Sequence, residues 1–187
     1  MNRLVFLLEE RSMQTLLDEL LPRLLPGVSF LCIPHEGKQD LEQSLPRKLR
    51  AWKEPGVYFI VIRDNDGGDC YTLKQELVKL CKGSRDDVMV RIVCQELEAW
   101  YFGEPEAMAE AFGNARLRGI GDKARYRDPD AIVKPSKEIV KLIPEFQKIS
   151  GARRMAAFLS RKGNRSRSYQ VLMEGIERIL QEEVERK

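Results

Sequence analysis

At 187 residues, with a net charge of +3, 43% apolar and 33% charged side chains, the chain has the make-up of one folded globular unit, not of a disordered or fibrous segment. The first apolar run is about six residues long before two glutamates, too short for a membrane span or a signal-peptide core, so a cytoplasmic protein without a membrane partner is expected. A single histidine, His35, and four widely spaced cysteines without a C-x-x-C pair exclude a His-rich metal centre, a zinc knuckle and a thioredoxin-type motif. Hydrolytic chemistry, if present, must rest mainly on carboxylates and a metal.

In chain order, Arg3 to Leu8 reads as an apolar strand that ends on Glu9 and Glu10. Ser12 is a candidate N-cap for an amphipathic helix through Leu16, Leu17, Leu20, Leu21 and Leu24, ending near Pro26-Gly27. Val28 to Ile33 follows as a second strand, His35 to Lys38 as a loop, and a second helix from Asp40 carries Leu41, Leu45, Leu49 and Trp52. Pro55-Gly56 turns the chain into a third strand that runs directly into Arg63-Asp64-Asn65-Asp66-Gly67-Gly68-Asp69. Tyr71 to Leu80 has helical spacing, and Val88 to Cys94 is the fourth strand, closing on Gln95-Glu96-Leu97-Glu98. Cys32 and Cys94 fall within these strands, as small buried hydrophobes.

Strand and helix alternating four times predicts parallel strands with right-handed crossovers, a doubly wound α/β sheet. Strand signals then stop. Pro105–Phe112, Ser136–Phe146, Ala152–Leu159 and Ser168–Val184 read as helices, with a loop rich in Gly, Arg and Asp between Phe112 and Pro135. Residues 1–104 are expected to form the α/β core, and 105–187 a helical C-terminal extension packed on the same domain.

The third strand delivers three acids to the carboxyl edge, where open α/β sheets bind ligands. If the first and third strands are neighbours, Glu9 joins Asp64 and Asp66 in a compact anionic pocket whose self-repulsion a divalent cation would relieve. Asp69 can extend this cluster or cap the following helix. An EF-hand fails, because its sixth and twelfth loop positions fall on Asp69 and Gln75; Gly37-Lys38 lacks the earlier glycine of a P-loop. From Gly151 to Tyr169 six cations, Arg153, Arg154, Arg161, Lys162, Arg165 and Arg167, run without an acid, which suits either a polyanion or solvent.

Glutamate at the end of a first strand and D-x-D at the end of a third resembles the TOPRIM domain of topoisomerases, primases and overcoming-lysogenization-defect nucleases. More narrowly, the chain is similar to the bacterial domain-of-unknown-function family 4276, on Leu8-Glu9-Glu10-Arg11-Ser12, His35-Glu36-Gly37-Lys38-Gln39-Asp40-Leu41, Arg63 to Cys70, Glu96 to Tyr101 and Asn164-Arg165-Ser166-Arg167-Ser168. The resemblance implies a TOPRIM-like (Rossmann-like) four-stranded parallel sheet flanked by helices. It also implies a magnesium- or manganese-dependent nuclease cutting DNA or RNA, with Glu9, Asp64 and Asp66 as metal ligands and catalytic groups. Many TOPRIM sequences have Gly where this chain has Glu10, which is either a further ligand or solvent-facing.

By the same edge geometry Glu98 is a candidate for a second metal or for water activation. Glu96 stands evenly between such a role and the first turn of a helix. Lys38 is a candidate for the leaving phosphate, and Arg153, Arg154, Arg165, Ser166 and Arg167 for the nucleic-acid backbone. Two alternatives remain open: a non-catalytic metal- and nucleic-acid-binding subunit working beside a separate ATPase, and a phosphatase using Asp64 as nucleophile.

Overall fold

The computed structural model describes residues 3–85 and 87–185, except the side chain of residue 183. Four parallel strands, β1 (Arg3–Leu8), β2 (Ser29–Pro34), β3 (Val57–Asp64) and β4 (Val88–Val93), form one sheet in the order β2-β1-β3-β4. In β1 and β3 the side chains alternate between two buried faces. Val5, Leu7, Phe59 and Val61 pack with the helices α2 (Lys38–Ala51) and α3 (Cys70–Cys81), through Leu41, Leu45, Leu49 and Leu77. Leu4, Phe6, Leu8, Ile60 and Ile62 face α1 (Arg11–Leu24) and the C-terminal half on the other side. A strand covered on both faces needs the continuous apolar run that the sequence shows, and each fully buried Leu or Phe contributes about 1.5–3 kcal/mol.

Beyond the sheet lie α4 (Glu98–Phe102), α5 (Pro105–Phe112), α6 (Pro135–Leu142), α7 (Lys148–Ala156) and α8 (Arg167–Glu185). The Gly/Arg/Asp-rich segment before α6 is wound into 3-10 turns at Ala115–Asp122, Ala124–Tyr126 and Pro129–Ala131. The five-residue α4 ties this half to the sheet, because Trp100, Tyr101 and Phe102 are all buried. Trp100 meets Tyr169 of α8 edge-on at 5.2 Å and donates from Nε1 to Ser168 Oγ at 2.9 Å. On the other flank Arg23 of α1 donates from Nε and Nη2 to Ala156 O at 3.2 and 2.9 Å, satisfying a carbonyl at the end of α7 that has no partner within its helix.

Several boundaries differ from the sequence reading. Helix α1 starts one residue ahead of Ser12, behind an extended Glu10, and the Ser12 hydroxyl turns back onto the Glu10 carboxylate from inside the first turn. Helix α2 starts at Lys38, so Lys38 lies in its first turn and not in a loop; Gly37 permits the entry at φ +97°. Helix α6 ends at Leu142, two residues before Pro144, as the restriction on a residue preceding proline requires. Cys94 falls one residue past β4 and is only partly covered, whereas Cys32 is buried in β2 as expected.

Candidate metal and phosphate site

The register sets the site. Leu8 stands opposite Ile62, so the chain leaves β1 at Glu9 just where β3 delivers Asp64, and the Asp64 amide donates to Glu9 Oε2 at 3.2 Å. Adjacent strands bring Glu9 and Asp64 together, as expected for that pair. Asp64 is buried, with Oδ2 accepting from the Leu97 amide at 3.2 Å. Burial, then the charges of Glu9, Glu10 and Glu98, hold its carboxyl well above the ordinary range against that one hydrogen bond. Glu9 is raised too, by burial and by Asp66, while the Asp64 amide and Arg63 oppose the shift.

The turn after Asp64 is built by Asn65, a residue that sequence reading did not single out. Its Oδ1 accepts from the Gln95 amide at 2.5 Å and the Gly67 amide at 3.3 Å, and its Nδ2 donates to Gly68 O at 2.7 Å. Asp66, in the left-handed region at φ +50°, donates its amide to Gln95 O and turns its carboxylate outward to Lys38 Nζ at 3.5 Å. Asp69 takes the structural alternative: its Oδ1 accepts from the Thr72 amide at 2.7 Å as the N-cap of α3, which keeps its carboxyl below the ordinary range.

Behind these acids sits Glu98, only 1% exposed, whose two carboxylate oxygens have no hydrogen-bond partner from another residue among those described. Burial raises its carboxyl to about 7, and Lys148 is the main opposing influence. The buried Tyr101 hydroxyl is likewise unpartnered, and the charges of Glu98, Glu10 and Asp64 all bear on it. Lys148, the first residue of α7, reaches Glu10 Oε2 at 3.2 Å. No local pattern marks it, since its acidic partners lie fifty or more residues earlier in the chain. Glu96 accepts from the Ser136 amide at the start of α6 at 2.7 Å.

The basic residues scatter. Arg165 is spent on carbonyls, donating to Gly121 O at 3.4 Å, Arg127 O at 3.3 Å and Phe102 O at 3.2 Å. Ser166 is fully buried and donates to Asp130 Oδ1 at 2.6 Å. Both tie the segment before α8 to the loop of 3-10 turns; Ser166 is shielded from a phosphate, whereas Arg165 stays exposed. Arg153 is exposed but pairs with Glu19 at 3.7 Å, nine residues or about 13 Å down α1 from Glu10. Arg154 lies over the Phe112 ring at 5.8 Å, and Arg167 pairs with Glu174 at 3.1 Å within α8.

Among the described residues no three His, Cys, Asp or Glu side chains converge on a metal-holding geometry as they stand. The donor chemistry nonetheless fits a hard divalent cation: all candidates are carboxylates, and the buried Glu98 pair of oxygens lacks a partner that a cation would supply.

A four-stranded parallel sheet carrying its acids on the carboxyl edge defines the chain as an α/β domain of TOPRIM-like architecture. It belongs to the family described as Domain of unknown function (DUF4276), whose model matches residues 8–177. Among solved structures it is similar to the C-terminal region of the Burkholderia pseudomallei OLD protein, with a TM-score of 0.53 and 15% identity over 94% of this chain and 96% of that one. At that identity the likeness speaks for the fold. A comparison with curated proteins gives no match.

Proposed function

We propose that the chain is a metal-dependent phosphodiesterase acting on DNA or RNA. The observation that carries this reading is the meeting of Glu9 and Asp64 at one sheet edge, where the Asp64 amide donates to the Glu9 carboxylate, with the buried Glu98 near enough to raise Asp64, burial the main cause of all three raised carboxyls, and Lys148 paired to the adjoining Glu10. Buried carboxylates that repel one another lower the stability of the fold unless a cation or a proton joins them, and such pairs mark functional sites more often than structural ones. Glu9, Asp64, Asp66 and Glu98 would hold one or two magnesium or manganese ions; bound there, the ions supply an activated water and neutralise charge on the scissile phosphate.

The protein groups have distinct tasks. Glu98, with a carboxyl near neutrality, is suited to accept a proton from the attacking water. Lys148 and Lys38, half-exposed cations paired to Glu10 and Asp66, are suited to the phosphate oxygens, while Arg63 pairs with Glu9 from within the sheet edge. Lys134 and Lys137, exposed on either side of the Ser136 amide that binds Glu96, extend this basic rim for the backbone of a strand. Residues 1–104 and 105–187 act on this reading as one domain, because α7 completes a site that the sheet begins. A phosphatase reading with Asp64 as nucleophile is less well supported, since Asp64 is only 9% exposed and one of its oxygens is held by the Leu97 amide.

Purified protein with magnesium or manganese, incubated with single- and double-stranded DNA and RNA beside an Asp64→Ala, Asp66→Ala variant, tests the proposal. Cutting that needs the metal and is lost in the variant is the expected result. Binding without cutting by either protein overturns it in favour of a binding subunit that works beside an ATPase.

A further inference from the structure

Beneath the acidic turn, Cys70 and Cys94 bring their sulfurs to 3.6 Å. Cys70 is the first residue of α3, directly after the Asp69 cap, and Cys94 is the residue between β4 and the left-handed Gln95. Both are free thiols and both line an open cleft of about 300 Å³, together with Lys74, Arg91 and Arg167. A small polar oxidant can therefore reach them. Cys32 and Cys81 are buried and do not line this cleft.

The sulfur of Cys70 is also wired to the acids. Asn65 Nδ2 donates to Cys70 Sγ at 3.1 Å, and the same side-chain amide holds the Gly67 and Gln95 amides and the Gly68 carbonyl. Closing the two sulfurs from 3.6 Å to a disulfide length of about 2.05 Å shifts the Cys70 sulfur from the position in which it accepts from Asn65 Nδ2. The amide that shapes the Asp64–Asp69 turn then loses one of its anchors.

We propose that Cys70 and Cys94 are a modification site: a hydroperoxide converts them to a reversible disulfide that loosens the acidic turn. The Cys70 sulfur attacks the peroxide, its S–O bond forms as the O–O bond breaks, and water or an alcohol leaves. The Cys94 sulfur then displaces the hydroxyl from the Cys70 sulfenic acid; the S–S bond forms, the S–O bond breaks, and the Cys94 proton leaves with hydroxide as water. The two thiols lose two electrons and the peroxide gains them. Burial and the nearby Asp130 push the Cys94 thiol up to about 12, so Cys94 is not the sulfur that meets the oxidant first.

The experiment treats the full chain with hydrogen peroxide, blocks remaining thiols, and maps peptides without reduction. A Cys70–Cys94 cross-linked peptide, lighter by two hydrogens, reversed by dithiothreitol and absent from Cys70→Ser and Cys94→Ser variants, is expected. Hydrogen exchange of the oxidised chain should then be about threefold faster at the amides of residues 64–69 than in the reduced chain. Oxidation of Cys70 to a sulfinic acid without a cross-link, a bond only between two chains, or a cross-link that leaves exchange at 64–69 unchanged or slower overturns the proposal. Neither readout involves metal or nucleic acid, so the result is independent of the proposed reaction.

Discussion

Glu98 sits where a carboxylate gains no hydrogen bond from another residue and where Lys148 is the main cation opposing the cost of its burial. Its carboxyl is therefore raised from the ordinary 4.5 to about 7, so between those values the folded chain holds a proton that the unfolded chain has released. Stability is accordingly lost as pH rises through this window, by an upper bound of about 3 kcal/mol for Glu98 alone, and the raised carboxyls of Asp64 and Glu9 act in the same direction. With a chelator present, thermal melts followed by circular dichroism should show the melting temperature falling from about pH 5 to pH 8, and Glu98→Gln should flatten that fall. Magnesium or manganese at pH 8 should raise the melting temperature of the unaltered chain more than that of the variant, because ligand binding to the folded state stabilises it. A flat profile in the unaltered chain would show that the buried acids do not share the strain described for them.

At the scale of elements, the loop of 3-10 turns is held to α8 by Arg165, whose guanidinium bonds three carbonyls from two separate segments. Gly121 leaves room for it, since a Cβ there would stand 2.5 Å from Arg165 Nη2. Arg165→Ala should destabilise the chain by about 1.5–3 kcal/mol in urea unfolding, and Arg165→Lys should rescue little because a single ammonium nitrogen cannot stand in for the separate Nη1 and Nη2 that reach these carbonyls. Equal stability with weakened nucleic-acid binding would instead return Arg165 to the phosphate role that its basic surroundings suggest. This residue also shows where sequence reading stops. Strands β1 and β3 were legible because each is an apolar run stopped by acids, and their adjacency brings Glu9 to Asp64 as anticipated. What Arg165 does was not legible, because its partners are backbone carbonyls from remote loops, which leave no mark on composition. Helix α7 was read four residues too short at its start for a related reason: Gly151 looks like a breaker, yet a Cβ there would lie 2.2 Å from Phe146 Cε2, so packing across the loop selects it.

For the whole molecule, a net charge of +3 hides an uneven layout in which the sheet edge gathers acids, met by Lys38 and Arg63 from the α/β core and by Lys148 from the C-terminal half. The uninterrupted basic run at 151–169 is the obvious polyanion surface in the sequence, but in the fold Arg153 lies down α1 from the acids and the exposed Arg165 is engaged with backbone carbonyls. Lys134 and Lys137 are better placed, because the Ser136 amide between them binds Glu96, two residues from Glu98. Lys137 stands in the first turn of α6, where a cation opposes the helix dipole, so helix stability does not account for it and an acid there is well tolerated. Lys134→Glu, Lys137→Glu should therefore fold normally, weaken binding of single-stranded DNA or RNA, and lower the slope of log affinity against log salt by roughly 1.4, from two lost phosphate contacts on a single strand. Arg153→Glu, Arg154→Glu removes the same charge from a surface that does not adjoin the acids and should leave that slope within error. Fluorescence anisotropy across a salt series separates the two variants, and the opposite ranking would move the nucleic-acid path from the carboxyl edge to the outer face of α7.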